Sequence, residues 1–153
     1  MISLENSIRQ NKAAINILNS LSKGASFGIV VENCEKTVIS REKDGVSFKP
    51  LEDNDKTDFV ISMPEEVFSE LFLESALLPG TEEHLTSSAK IFFRELNKKT
   101  IKLVIHANFL KLTFHGYPKL LKLGGPSFWK VLADNGAGSL LAIEKKLASF
   151  KNK

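Results

Sequence analysis

The sequence predicts an α+β domain with a mainly antiparallel sheet of about five strands and amphipathic helices lying on it. Three observations lead there. Asp58–Leu71 changes period partway along: Phe59 and Ile61 are apolar at spacing two, whereas Val67, Phe68, Leu71 and Phe72 recur at helical spacing. A strand therefore feeds directly into an amphipathic helix. Thr37–Arg41 and Val46–Lys49 flank Lys43-Asp44-Gly45, a strong hairpin signal. Finally, several strand-like segments follow one another after a single helix, which points to an antiparallel meander and away from alternating βαβ units.

Taken in order, residues 3–22 read as one helix, with Ile8, Ile15, Leu18 and Leu21 on a shared face and Gly24 at its end. Phe27–Glu32 is a strand, and Asn33-Cys34-Glu35 turns it. The hairpin follows, Pro50 stops its second strand, and 51–57 is an acidic loop. The next strand is Asp58–Met63. Its helix runs from Pro64 to about Leu78, and Ser62 with Glu65 fits a capping box. Thr81 caps a further helix to Leu96, with Glu82 and Glu83 in the first turn and Leu85, Ala89, Phe92 and Leu96 on one stripe. Core, ligand or another subunit has to meet that stripe.

Ile101–His106 alternates and reads as the last strand. Phe109–Phe114 fits either a strand or a helix. Pro118–Leu123 is a helical turn or two, Gly124-Gly125-Pro126 a loop, 127–133 a short helix and Ser139–Phe150 a terminal amphipathic helix. Neither an internal repeat nor a low-complexity linker divides 1–153, so a single domain is expected.

Composition narrows the function. Of 153 residues, 42% are apolar and 25% charged, enough to build a core. Eleven Phe stand against one Tyr and one Trp. Phe supplies area without a polar handle, which suits a core or a lipid cavity. The net charge of +3 is too small to mark a nucleic-acid binder. Acidic residues crowd the first half, and the chain turns basic from Lys98 onward, through Lys111, Lys122, Lys130 and Lys145. A weak contact with an anionic membrane surface is the sharper reading of that asymmetry, and a solvated surface the plainer one. Glu5, Asn6 and Arg9 stand where a secretory signal would need an apolar core, and Cys34 is the one cysteine. A reducing, cytoplasmic setting is the expectation.

Nothing in the sequence argues for an enzyme. His84, His106 and His115 lack close metal-site spacing, so surface or strand roles are expected, with no metal and no cofactor. Cys34 has no indicated base beside it. The Gly124-Gly125 and Gly136-Ala137-Gly138 segments lack the lysine and spacing of phosphate loops. Glu65 and Glu66 complement a helix dipole without further purpose.

Two stretches resemble the sterol carrier protein 2 (SCP2) family. Asp58-x-x-Ile61-Ser62-Met63-x-Glu65-Glu66-x-Phe68-x-x-Leu71 looks like its strand-to-helix segment. Lys102-Leu103-Val104-Ile105-His106-Ala107-Asn108 is similar to its second strand and turn, in the same order along the chain. The chain departs from the pattern with Thr100-Ile101 in place of the leading glycine, Ala107 in place of the second, and a longer segment between the motifs. The resemblance implies an SCP2-like domain, its sheet covered on one face by helices, that binds or transfers a fatty acyl, sterol or phospholipid-like ligand in an apolar cavity between sheet and helices. It makes Phe68, Leu71, Phe72 and Leu78 on the first long helix, with Leu103, Ile105 and Phe109, candidates for lining that cavity; Phe128, Trp129 and Leu132 would close its mouth. Ordinary core packing competes at each position. The alternative for the whole chain is a protein-interaction or scaffold domain with a filled core, homodimeric through the Thr81–Leu96 helix.

Overall fold

The computed structural model describes residues 3–74 and 80–150. Where one N-terminal helix is expected there are two, α1 (Leu4–Gln10) and α2 (Lys12–Asn19). Asn11 makes the break. Its backbone is extended, its Oδ1 accepts from the Ala14 N–H, and its Nδ2 donates to the Phe72 carbonyl. An N-cap side chain satisfies a donor that an uninterrupted helix would not leave open.

The strands are β1 (Ser26–Val31), β2 (Thr37–Glu42), β3 (Gly45–Pro50), β4 (Phe59–Met63) and β5 (Lys102–Ile105). They form one sheet in the order β3-β2-β1-β4-β5. Three neighbouring pairs are antiparallel, but β4 crosses over β2 and β3 to lie parallel to β1. The sheet is therefore mixed, and a pure meander is not what forms. The connection from Leu51 runs over the outer face, bringing the Leu51 side chain close above Gly28. The helices occupy the other face.

Register explains the inner face. Phe48, Ile39, Phe27, Phe59 and Ile105 form one row across all five strands. Ile29, Ile61 and Leu103 form the next. Phe27 and Phe59 stack with ring centroids 5.0 Å apart.

β4 leads into α3 (Glu65–Ser69), which continues as a π-helical turn at Glu70–Glu74. Pro64 is the N-cap and no side chain caps this end; Ser62 belongs to β4, where it pairs with Lys102. The expected capping box does not form. The last part of this expected helix, with Leu78, lies outside the described residues. Next comes α4 (Thr81–Asn97), capped at Gly80 and not by Thr81. Asn108 then starts α5 (Phe109–Phe114), its side chain accepting from the Lys111 N–H, and this decides the segment for helix. In α6 (Lys119–Asp134) Gly125 is non-helical at φ 66°, so two helical pieces meet at a kink beside Pro126. The terminal helix is α7 (Leu140–Ala148), with Ser139 as N-cap. The expected stripe of α4 is spent inside the molecule: Leu85, Ala89 and Phe93 pack with Phe128, Val131 and Leu132 of α6.

Candidate functional site

The rows of the inner sheet face and the apolar sides of the helices do not close on each other completely. Between them lies an apolar space of about 450 Å³, bounded by Phe27, Ile29, Phe59 and Ile61 below and by α2, α4 and α6 above. A second space of about 280 Å³ lies beneath α5 and α7, against Leu103 and Ile105 of β5. The two share Phe59, Ile61, Phe92, Tyr117 and Leu147, so they adjoin. Among the described residues no Lys, Arg, Asp or Glu lines either one.

The structure places the candidate residues differently. Leu71, Phe72, Phe128 and Leu132 line the larger space, and Leu103, Ile105 and Phe109 the smaller. Phe68 and Trp129 line neither. Phe68 is fully buried in the core around α1 and α2, tilted against Phe72 at 4.8 Å between ring centroids. Trp129 packs half-buried with the α4–α6 cluster. Leu78 is outside the described residues. The floor was missed, although its signal is in the sequence: Phe27 and Ile29 alternate just as Phe59 and Ile61 do, which puts all four on one sheet face. Tyr117 was missed without any such signal.

Two polar groups stand at the edges of this apolar interior. The first is centred on Asp58, which is 1% exposed. Its carboxylate accepts from the Ser26 N–H at 3.1 Å and the Tyr117 hydroxyl at 2.9 Å, and His115 Nδ1 lies 2.7 Å away. A carboxylate only accepts, so the proton between them sits on Nδ1. The Asp58 carbonyl also accepts from the N–H groups of His106 and Ala107. Burial first, and the Asp58 charge second, push the Tyr117 phenol well above its ordinary value and hold it neutral. Contrary to a surface role, His115 is thus a buried carboxylate's partner. Among the described residues no hydroxyl or thiol hydrogen-bonds it, so the pair lacks the nucleophile that a histidine base would activate.

The second polar group is on α4. His84 is 3% exposed, again against expectation, and Ser88 follows one turn later; both line the larger space. Of the histidines only His106 is exposed. Cys34 is a free, half-buried thiol packed against the core.

Helices on one face of a mainly antiparallel sheet, with an apolar space between, define an α+β domain, and this is the architecture that the SCP2 resemblance implies. No protein-family model matches the chain, and no curated protein does. Among solved structures it is similar to a chain described as "UbiJ-SCP2 Ubiquinone synthesis protein", at 8% identity over 79% of this chain and 82% of that one, with a TM-score of 0.42. That likeness is one of outline and assigns no residue here a role. No helix among the described residues is long and apolar enough to cross a membrane.

Proposed function

We propose that the chain is a non-enzymatic binding module for an elongated apolar ligand, such as a lipid acyl chain, which lies between the sheet and the helices. One observation carries this reading: the space of about 450 Å³ is of ligand-site size and is walled almost wholly by side chains without polar atoms. Removing each ligand methylene from water contributes about 0.8 kcal/mol, so shape and apolarity are enough for affinity. A space lined this way stays dry when empty and takes up apolar molecules. The filled-core scaffold has less support, because the α4 stripe that would form its dimer surface is buried against α6.

Native mass spectrometry of freshly purified protein, followed by organic extraction, tests the proposal. The expected result is an adduct of lipid mass. A clean mass with no uptake of added fatty acid sinks it. Ala89→Leu places an isobutyl group into the larger space. Uptake is expected to fall about tenfold, equivalent to excluding two methylenes, with stability unchanged or raised.

Membrane contact belongs to the same reading. Leu110 and Phe114 share a face of α5 and are 64% and 72% exposed, next to the strip of Phe109 and Thr113 that lines the smaller space. Lys111 sits between them. Sedimentation with anionic vesicles is expected to carry down the wild type and leave Phe114→Glu in solution; equal binding of both overturns this part.

A further inference from the structure

We propose that Ser88 marks the head-group end of the cavity, and that the ligand is a neutral, single-chain amphiphile whose carbonyl oxygen takes the Ser88 hydroxyl. This rests on the apolar-binding reading above. His84 and Ser88 lie four apart on α4, hence on one face of the helix, and both line the larger space. The Ser88 oxygen is inaccessible to solvent and finds no hydrogen-bond partner among the described residues. A buried hydroxyl left this way costs free energy that a ligand acceptor would recover. A helical serine ordinarily turns its hydroxyl back to the carbonyl one turn earlier. Here it does not, and it borders a space where a ligand oxygen can sit.

The surroundings choose the head. An ionised carboxylate or phosphate drawn into this interior would need a free cation; no Lys or Arg lines the space, and His84, which does, already has a partner. An ester or ketone oxygen needs only a donor, which Ser88 supplies. The tail then has the sheet floor of Phe59 and Ile61 to follow toward the smaller space beneath α5 and α7, which those residues also border. Tyr117 does not compete for the head, since its hydroxyl is already given to Asp58.

Three probes of one chain length test this: dodecane, methyl laurate and laurate, each displacing an anilinonaphthalene dye from wild type, Ser88→Ala and Thr86→Ala. Thr86 is the control, because its hydroxyl is also buried without a partner yet lines neither space. Ser88→Ala is expected to weaken methyl laurate about fivefold, the size of one hydrogen bond, and to leave dodecane within about twofold. Thr86→Ala changes none of them. Equal loss for dodecane and methyl laurate in Ser88→Ala, or no loss for either, overturns the head-group site. Laurate displacing dye better than its methyl ester overturns the neutral head. If dodecane displaces no dye from the wild type, the apolar-binding reading falls, and the head-group site with it.

Discussion

Asp58 and Ser88 are both polar groups buried beside the same apolar interior, and they are treated in opposite ways. Asp58 is satisfied from every side: Ser26, Tyr117 and His115 converge on its carboxylate, and two backbone N–H groups on its carbonyl. The Ser88 hydroxyl is satisfied by no described residue. The chain is therefore able to pair a buried polar group fully where the fold depends on it. Asp58 ties the starts of β1 and β4 to the segment after α5, so its cost of burial is offset by the contacts it organises. The Ser88 hydroxyl ties no described residues together, and it differs from the equally unpaired Thr86 hydroxyl in that its residue borders the larger space.

The contrast can be broken by experiment, and the largest effect belongs to Asp58. Asp58→Ala orphans three donors at once and is expected to lower stability by about 3 kcal/mol, read as an earlier urea midpoint. Asp58→Asn keeps an acceptor and should lose less. If Asp58→Ala unfolds at the wild-type midpoint, the node is not structural.

Tyr117→Phe comes next. It removes one hydrogen bond to Asp58, and about 1 kcal/mol is expected to go at neutral pH. The sign with pH follows from the raised phenol. In the unfolded chain it ionises near its ordinary value of 10.0, whereas in the fold it stays protonated above that pH. Its contribution is complete below about pH 10 and drains away above it, at about 1.4 kcal/mol per pH unit. The wild type's advantage over Tyr117→Phe should therefore shrink as pH rises beyond 10, measured by parallel urea titrations. A constant gap would mean that the phenol is not held neutral.

The smallest effect has the opposite sign. Ser88→Ala removes an unpaired hydroxyl and improves helix propensity, so the empty protein should gain about 0.5 kcal/mol. A loss of stability would show that Ser88 has a structural partner after all, and would erase its contrast with Asp58.

How far each region could be read in advance follows the range of its interactions. The Asp58–Leu71 junction, the hairpin at Gly45 and the span of α4 depend on local spacing, and they were legible. Phe109–Phe114 was open by periodicity alone; the Asn108 cap and the burial of Leu112 close it as helix. The break at Asn11 depends partly on the Phe72 carbonyl 61 residues away, which no window covers. The parallel placement of β4 is a choice of neighbour that alternation does not encode. The same holds for the site. Leu103 and Ile105 stand on a strand whose inward face is readable, while the Asp58 cluster joins residues 57 and 59 positions apart. Phe68 was misplaced because a helical stripe shows which side is buried but cannot separate what packs solid from what borders a space.

The crossover of β4 onto β1 also bears on how the protein assembles. β1, β2 and β3 pair with near neighbours in the chain, whereas Ser26 and Asp58 are 32 residues apart when they meet. Closing that loop costs chain entropy before any contact repays it, so the three-stranded meander has the head start and the β1–β4 seam zips later. Phe27 and Phe59 face each other across this seam and make the cavity floor. The floor is thus completed by the slow step, and amide exchange along β4 and β5 should report a cooperative unit separate from the β2–β3 hairpin.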